Sequence, residues 1–351
     1  MSEAIIPHDQ LRDFVEGILS ALAVAPAKAR LVAETLVAAN LRAVDSHGVQ
    51  LLPFYVDQIE CGRMNPHAQG RVVSESGACL VYDGENGVGQ FIAELCSDHA
   101  VRLCREHGLG MVVARESNHF GAAAWWGQRI SAHGMVGIVQ CNASPMVAPW
   151  QGCDPRYGTN PLCVAVPSNG AGAWLLDMAS TTVAMGRIYK AFVNREATIP
   201  PGWAMDGEGV PTVETETALN GLLMPLGGYK GSGLAMMAEI LCGVLGGGAV
   251  STELGGLRIK TAPFRVSQMF LAIDVARFIE PEQFQARMEK LVTMVKSSRP
   301  AQGHQEVLVA GDPEWRAEAG RLRGGIPVPE NLWTSLGEIA RRLGVAIPAL
   351  G

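Results

Sequence analysis

Residues 111–134 read MVVARESNHFGAAAWWGQRISAHG, and the character of the sequence changes halfway along this stretch. The first half begins with apolar, β-branched residues and ends in polar ones, as expected for a buried strand that reaches the edge of a sheet. The second half is rich in small and apolar residues and predicts a helix. Residues 117–121, SNHFG, therefore form a strand-to-helix turn, and the stretch predicts an α/β fold.

His119 lies in this turn, at the kind of sheet edge where ligands commonly bind. An imidazole is the side chain that titrates nearest to neutrality, so His119 is a candidate acid, base or carbonyl-orienting group. The structural alternative is a histidine that only satisfies local backbone groups. The flanking Asn118 and Gly121 favour a functional turn.

A second histidine follows residues 28–45, KARLVAETLVAANLRAVD, whose apolar side chains recur at helical spacing. Gly48 favours an exit from the helix, so the sequence predicts a helix that ends at Ser46. His47 is then a candidate proton donor or acceptor, and Ser46 either holds a substrate oxygen or fixes the ring. The alternative is a C-terminal histidine that the helix dipole favours.

Composition limits the class of protein. The chain has 351 residues, of which 48% are hydrophobic and 18% charged, and a net charge of -6. This length predicts about two domains, and the acidic balance argues against a nucleic-acid partner. We see no secretory signal and no run of apolar residues that could span a membrane. Eight cysteines without a C-x-x-C pair argue against a zinc site and a disulfide framework, so we expect no metal, reduced thiols and a cytoplasmic protein.

Other segments predict an alternation of helices and strands. Asp9 is placed as the cap of a first helix, and short strands begin near Arg71. Residues 281–298 predict a helix with one apolar face. Residues 306–315, EVLVAGDPEW, predict a strand followed by a turn into the last helical region.

A long loop joins the strand that begins at Met135 to one that begins at about Leu162. Long irregular loops in compact domains are usually functional. Asn142, Ser144, Thr159 and Asn160 offer donors and acceptors that suit an amide or a carboxylate. The alternative is that they only bind the backbone of the loop itself.

Two later segments suit a ligand with ribose and phosphate groups. Asp177 ends a strand and precedes small residues and a helix, so its carboxylate is placed to accept ribose hydroxyls. Gly227, Gly228 and Lys230 lie just before a long apolar helix, where backbone N–H groups and an ammonium can meet one anion. The alternative for Lys230 is a solvated loop lysine.

Several common motifs do not occur. No G-x-G-x-x-G lies between a strand and a helix, and residues 84–89, GENGVG, have the wrong spacing, so a Rossmann fold is not expected. The G-x-S-x-G of serine hydrolases and the H-E-x-x-H of zinc hydrolases are also absent.

Taken together, the motifs resemble the malate/L-lactate dehydrogenase family, which also includes ureidoglycolate, sulfolactate and diketogulonate dehydrogenases and reductases of cyclic imino acids. The resemblance covers nearly the whole chain. The segments that carry it, in the order of the family, are NLRAVDSHGV (40–49), ESNHFGAAAWW (116–126), CNASPMVAPW (141–150), YGTNP (157–161), LLDMAST (175–181), PPGWAMD (200–206) and LLMPLGGYKGSGLAMMAEIL (222–241).

The resemblance implies an oxidoreductase that uses NAD or NADP to move hydride to or from a small 2-oxo or 2-hydroxy acid. It implies a non-Rossmann cofactor-binding fold with a mixed, largely antiparallel sheet, and a homodimer whose active site lies near the subunit contact. We accordingly expect a helical domain built from both chain ends, residues 1–70 with 280–351, and a sheet-containing domain over residues 71–279.

The resemblance also assigns roles to residues of this chain. Members differ in whether the histidine matching His47 or the one matching His119 is the acid/base. We assign His47 as proton donor with Ser46 as its partner, His119 as the group that orients the substrate, and Tyr55 as a substrate contact. The expected cofactor contacts are Asn142, Ala143, Ser144, Thr159, Asp177, Met178, Ala179, Lys230, Gly311 and Asp312.

Two departures from the family pattern are visible. Leu51 stands where members that act on malate-like substrates usually carry an arginine, a natural clamp for a carboxylate. This favours an alternative function, reduction of a cyclic imino acid such as Δ1-pyrroline- or Δ1-piperideine-2-carboxylate. Ser267 and Gln268 stand where the family tends to have Gly-His.

A different class of function is also considered, a protein that binds the cofactor but does not catalyse a reaction. The presence of Ser46 and His47 speaks against it.

Overall fold

The computed structural model of the chain describes residues 3–168, 173–257 and 261–348. The helices in these ranges are α1 His8–Ala21, α2 Pro26–Leu41, α3 Leu52–Glu60, α4 Gly89–His107, α5 Ala123–Ser131, α6 Met185–Val193, α7 Thr215–Asn220, α8 Tyr229–Ala238, α9 Pro281–Lys296, α10 Asp312–Gly324 and α11 Glu330–Leu343. The strands are β1 Glu3–Ile6, β2 Arg71–Ser76, β3 Cys79–Asp83, β4 Leu109–Ser117, β5 Met135–Cys141, β6 Leu162–Ala165, β7 Leu175–Met178, β8 Ala204–Met205, β9 Pro211–Thr212, β10 Leu222–Leu223, β11 Val266–Asp274 and β12 Ile326–Pro329.

The main sheet has seven strands within the described ranges, in the order β2-β3-β4-β11-β5-β6-β7. Strands β3 and β4 run parallel, because α4 connects them in a crossover, and the other neighbours pair antiparallel. This confirms the α/β class and the mixed, largely antiparallel sheet. The order differs from that of a doubly wound parallel sheet.

Strand β11 forms the centre of the sheet although it comes late in the chain. It separates β4 from β5 and pairs with both. Phe270 points from β11 into the main core, where it meets Phe120 edge-on with ring centroids 6.3 Å apart, and Trp126 of α5 lies in the same core. The turn that carries His119 is therefore attached to the main core through Phe120.

A second core forms where the two ends of the chain meet. Helices α1, α2 and α3 pack with α11, and β1 pairs antiparallel with β12. A third, smaller core lies between α6, α7 and the short sheet of β8, β9 and β10. The division of the chain into two domains remains a prediction.

Helix α2 ends earlier than the sequence predicts. It stops at Leu41, and Ala43 has a φ of 57°, which interrupts the helix. The apolar spacing that suggested a longer helix continues into two short 3-10 turns, Asp45–His47 and Val49–Leu51. His47 therefore lies in a tight turn and not at the end of an α-helix.

Two further local predictions are wrong, and a third is confirmed in part. Asp9 lies inside α1, because the helix begins after Pro7. Residues 306–310 form no strand, since the backbone contact with β7 is one hydrogen bond, from Leu175 N–H to the Ala310 carbonyl. The helix over 281–296 is confirmed, but its apolar face does not pack in the core, and Leu291 is 55% exposed.

Helix α4 begins directly against the turn of His119. A Cβ atom at Gly89 would lie 2.2 Å from the His119 carbonyl oxygen and 2.4 Å from that of Asn118. No side chain fits there, so glycine lets the helix start touch the backbone of the turn.

We expect Gly89→Ala to lower the free energy of unfolding by about 1–3 kcal/mol, because an added methyl group has to displace backbone. Denaturant unfolding measures this change. The matched control is Gly320→Ala, at an exposed position of α10 with open space around the Cβ. Equal stability of the two variants would contradict the close approach.

Candidate active site

The turn of His47 is fixed by a buried asparagine at the end of α2. The Asn40 side-chain oxygen accepts from Val49 N–H at 2.8 Å, and its amide donates to Asp45 Oδ1 at 2.6 Å. A Cβ atom at Gly48 would lie 2.3 Å from Asn40 Oδ1. The Asp-Ser-His-Gly sequence thus suits a turn that closes over one amide side chain.

Arg321 of α10 holds the same turn from the other side. Its guanidinium donates to both carboxylate oxygens of Asp45, at 2.7 and 3.1 Å, and also to the Asn40 carbonyl. A bidentate pair of this kind is strong and directional. No local pattern points to Arg321, because its partner lies 276 residues away.

Ser46 and His47 are half-buried, with Ser46 Oγ 3.0 Å from His47 Nδ1. This contact leaves the other ring nitrogen, Nε2, for a ligand. Helix α6 begins beside the pair, since a Cβ atom at Gly186 would lie 3.3 Å from Ser46 Cβ.

The structure brings His119 next to His47. The two rings stack with centroids 5.7 Å apart and planes 26° from parallel. His119 Nδ1 lies 2.7 Å from the Tyr55 hydroxyl and accepts from Gly121 N–H at 3.2 Å. The Gln90 amide in turn donates to the Tyr55 hydroxyl at 3.1 Å.

These contacts define the proton arrangement of His119. Gly121 N–H can only donate, so Nδ1 presents a lone pair and the proton of the neutral ring is on Nε2. The Tyr55 hydroxyl then donates to Nδ1, and its oxygen accepts from Gln90. His119 therefore directs an N–H donor away from this network.

Tyr55 was expected to contact the substrate, but it is 2% exposed and lies behind His119. Its influence on a ligand passes through the imidazole. Gln90 was not identified from the sequence, because nothing in the residues near position 90 shows that an amide is buried there.

Gln268 explains how the turn of His119 is attached to the sheet. Its amide donates from β11 to the Asn118 carbonyl at 2.8 Å, and Asn118 donates onward to the carbonyls of Asn86 and Gly87. The residue that departs from the family pattern thus has a local function, to bind the backbone one residue before His119.

Both imidazoles are neutral at physiological pH. Burial lowers the pKa of His47 to about 4. Burial, and to a smaller degree the neighbouring His47, lowers the pKa of His119 to about 3. A neutral His47 can accept a proton, whereas the neutral His119 acts as a hydrogen-bond donor.

The expected cofactor contacts meet along β7. Ser180, just after the strand, bonds through its N–H to the Thr159 carbonyl at 2.8 Å, and its own carbonyl accepts from Leu226 N–H at 2.9 Å. A Cβ atom at Gly231 would lie 2.6 Å from the Ser180 oxygen. The strip of residues 177–179 therefore lies beside Thr159 and beside the turn that carries Lys230. Lys230 is exposed and stands at the start of α8.

Asp177 connects this strip to the two histidines. Its Oδ2 accepts from Ala124 N–H at 2.9 Å, at the beginning of the helix that follows the His119 turn. The residue is exposed at the surface, but protein atoms surround its carboxyl closely enough that desolvation raises the pKa of this group to about 6.

Gly311 and Asp312 differ in their positions. Gly311, with a φ of 97°, lies against β7, since its Cβ position is 3.3 Å from Leu175 N. The Asp312 carboxylate is buried and already bonds to Lys296 at 2.8 Å and to Val309 N–H at 2.9 Å. The pairing with Lys296 satisfies Asp312 within the protein.

The long loop begins and ends in buried asparagines. Asn142 and Asn160 have exposed fractions of 0% and 2%, and both amides bond within the protein. Ala143 and Ser144 are half-buried. The Asn142 and Asn160 side chains, which were expected to bind an amide or a carboxylate of a ligand, therefore form contacts within the protein.

Two absences concern metals and membranes. Within the described ranges, no group of three or more His, Cys, Asp or Glu side chains is arranged to hold a metal ion. In the same part of the chain, no helix is both long and apolar enough to cross a membrane.

Comparison with known proteins gives consistent matches. The malate/L-lactate dehydrogenase family matches residues 6–337. Malate dehydrogenase of Pyrococcus horikoshii is 36% identical over 348 residues, which cover 97% of this chain and 96% of that protein. The structure of sulfolactate dehydrogenase from Methanocaldococcus jannaschii is 32% identical with a TM-score of 0.91, covering 97% of this chain and 98% of that one. Δ1-piperideine-2-carboxylate reductase from Pseudomonas syringae pvar. tomato is 26% identical with a TM-score of 0.85, covering 96% and 99%.

A two-histidine site on this mixed sheet, together with these matches, defines an oxidoreductase. The chain belongs to the malate/L-lactate dehydrogenase family. This agrees with the oxidoreductase that the sequence motifs predicted, and the imino acid reductase, at 26% identity, is a more distant relative than the malate and sulfolactate dehydrogenases.

The lowered pKa values predict how the protein responds to acid. We expect the imidazole NMR signals of His47 and His119 to stay constant from pH 8 down to about pH 5. Histidines of the unfolded chain, with pKa values near 6.5, bind protons that the folded sites exclude. The contribution of His47 and His119 to the free energy of unfolding therefore falls as pH decreases from about 6.5 toward 4.

The control is the double variant His47→Gln/His119→Gln, in which this fall becomes shallower. Titration of either ring between pH 6 and 7 would contradict the assignment.

Proposed function

We propose that His47 exchanges the proton and that His119 orients the substrate oxygen. The observation that supports this division is the hydrogen bond from Gly121 N–H to His119 Nδ1. It makes the Nε2 side of His119 a permanent donor, whereas the nearest contact of His47 is the Ser46 hydroxyl, which can donate or accept. His47 is thus free to change its protonation state.

In the oxidation of a 2-hydroxy acid, neutral His47 accepts the hydroxyl proton while His119 N–H holds the same oxygen. In the reverse reaction, His47 returns the proton to the oxygen that develops negative charge. The substrate carboxylate favours the imidazolium form of His47, because an opposite charge nearby raises the pKa of a histidine. Ser46 keeps the ring oriented in both directions.

The residues along β7 suit a pyridine nucleotide, NAD or NADP. Asp177 offers an exposed carboxylate for ribose hydroxyls, and Lys230 with the first N–H groups of α8 offers positive charge for phosphates. Ala143, Ser144 and Thr159 lie toward the nicotinamide end. When bound, the nucleotide accepts or supplies the hydride at the substrate carbon.

The substrate class is a small 2-hydroxy acid such as malate, lactate or sulfolactate. The names of the more similar relatives support this class. In the sequence, Leu51 favours a cyclic imine as substrate because it replaces an arginine. In the structure, Leu51 is 7% exposed and packs in the second core, so it gives less support to a cyclic imine.

The test is a panel of substrates. We expect NADH or NADPH formation, followed near 340 nm, with malate, lactate or sulfolactate. We expect this turnover to be faster than the reduction of Δ1-pyrroline- or Δ1-piperideine-2-carboxylate.

We expect His47→Gln to lower kcat by about 10²–10⁴-fold, as for the loss of a general acid/base. The control is His67→Gln, which changes an exposed turn histidine. Full activity of His47→Gln would remove His47 from the mechanism, and preferential reduction of a cyclic imine would favour the alternative function.

We also propose a homodimer. Five exposed apolar side chains lie on α8, on the π-helical turn Glu239–Val244 that follows it, or directly after that turn. Trp150 lies beside the first of them, with ring centroids 6.4 Å apart. Apolar patches of this kind on a soluble protein mark contact surfaces. The five are Tyr229, Met236, Ile240, Val244 and Leu245.

Light scattering during gel filtration tests the dimer. We expect wild-type protein at twice the chain mass of 37.3 kDa. We expect Ile240→Glu/Val244→Glu to shift it to the mass of one chain, because buried charges are costly. Leu322→Glu, at an exposed site on α10, is the control. A wild-type mass of one chain would exclude the proposal.

The eight cysteines are free thiols, five of them buried. Free thiols persist in a reducing environment. They support the proposal of a cytoplasmic enzyme.

A further inference from the structure

Glu239 is a buried carboxylate outside the two-histidine site. It is 5% exposed and is the first residue of a π-helical turn, Glu239–Val244, that continues α8. Turns of this type occur frequently at functional sites. A buried carboxylate is costly unless hydrogen-bond donors surround it, so its contacts show what it does.

Its two oxygens accept from three N–H donors. Oε1 accepts from the Asn160 amide at 3.0 Å, and Oε2 accepts from the Asn142 amide at 3.1 Å and from Ser251 N–H at 3.2 Å. One carboxylate therefore binds the first and the last polar residue of the long loop between β5 and β6.

The two asparagines transmit this contact to the backbone of the loop. Asn160 Oδ1 accepts from Ala143 N–H at 2.9 Å, so the end of the loop is bonded to its beginning. Asn142 Oδ1 accepts from Ser267 N–H at 2.8 Å, which attaches the beginning of the loop to β11.

The absence of a side chain at Gly243 leaves room for the Asn142 amide. A Cβ atom at Gly243 would lie 3.1 Å from the Asn142 amide nitrogen and 2.9 Å from the Ala249 carbonyl oxygen. The Asn142 amide donates to that same carbonyl at 2.9 Å. Glycine one turn after Glu239 thus makes the space that the asparagine occupies.

Farther out, the loop is closed a second time. Val147 and Tyr157 exchange backbone hydrogen bonds of 2.8 and 3.1 Å. Residues 143–146 and 158–159 lie between this bridge and Glu239. This part includes Ala143, Ser144 and Thr159, which we place at the nicotinamide end of the cofactor.

We propose that Glu239 is a positioning residue, which clamps both ends of the loop of residues 143–159 and so places the contacts at the nicotinamide end. The inference rests on the proposed cofactor location. Glu239 acts through Asn142 and Asn160 and does not touch the substrate. Placement matters because a shift of about 1 Å in a reacting geometry can cost about 10²-fold in rate.

The first test is Glu239→Gln. Its amide group has nearly the same shape, but one acceptor becomes a donor that faces an asparagine NH₂, so one end of the clamp opens. We expect the KM for the nucleotide to rise about 10-fold and kcat to fall about 10–100-fold, while the KM for the hydroxy acid changes less than about threefold.

The second test is an exchange of partners. Asn160→Asp alone places two carboxylates together, and we expect a loss at least as large as for Glu239→Gln. In Glu239→Gln/Asn160→Asp, the amide introduced at position 239 donates to the carboxylate introduced at position 160, so the contact is re-formed with its polarity reversed. We expect the double variant to recover at least about tenfold of the lost kcat/KM, which only a direct interaction between the two positions produces.

Hydrogen exchange of the nucleotide-free protein gives a readout that does not depend on activity. We expect the Ala143 amide to exchange about 10-fold faster or more in Glu239→Gln and to return toward the wild-type rate in the double variant. Glu253→Gln is the matched control, because in the described part of the chain the Glu253 carboxylate accepts from Val250 N–H and bonds neither Asn142 nor Asn160. We expect its exchange and kinetics to match the wild type within about twofold.

Unchanged exchange at Ala143 in Glu239→Gln would overturn the clamp. Faster exchange with unchanged KM for the nucleotide would show that the loop does not place the cofactor, and would overturn the positioning role. If wild-type protein turns over no 2-hydroxy acid, the proposed function fails, while the exchange data still decide whether Glu239 clamps the loop.

Discussion

The bidentate ion pair between Arg321 and Asp45 is the contact on which the active site depends most. It joins α10, near the end of the chain, to the short turn that carries Ser46 and His47. That turn has no regular helix or strand to hold it, because α2 has already ended at Leu41. The carboxylate of the Asp-Ser-His-Gly motif therefore serves the backbone, and the next two side chains are left for chemistry.

The two histidines have different environments although they stack on each other. His119 is fixed by Tyr55, Gly121 and the tightly packed start of α4, which gives it one tautomer. His47 touches a hydroxyl that accepts or donates with equal ease. The two histidines thus acquire different roles, because different groups contact the Nδ1 atom of each ring.

Much of the fold was predictable from local sequence patterns. The parts that were not predictable depend on partners that are distant in the sequence. The strand and helix on either side of His119 were predictable, because apolar runs and small residues mark them directly. The pairing of β1 with β12 was not, since each strand is four residues long and gains its stability from the other end of the chain. The strand predicted near Leu308 failed for the converse reason, because an apolar run needs a neighbouring strand to pair with.

The same limit applies to the site. Ser46, His47 and His119 belong to residue types whose chemistry is visible in the sequence. Gln90 and Glu239 acquire their roles only from burial beside particular partners, which no local pattern shows. The Asn142 side chain was expected to face a ligand and instead binds Glu239. The sequence does not distinguish these two roles, because an amide can bind a ligand or a buried carboxylate equally well.

The position of Arg321 also sets the order in which the enzyme is completed during synthesis. A growing chain that has not yet reached Arg321 already contains the main sheet and both histidines, but not the guanidinium that holds the Asp45 turn. In such a chain the Asp45 carboxylate has no guanidinium to bind, so the turn of His47 lacks the contact that fixes it from the side of α10. The geometry at His47 is thus set by a residue that is synthesised long after the histidine itself.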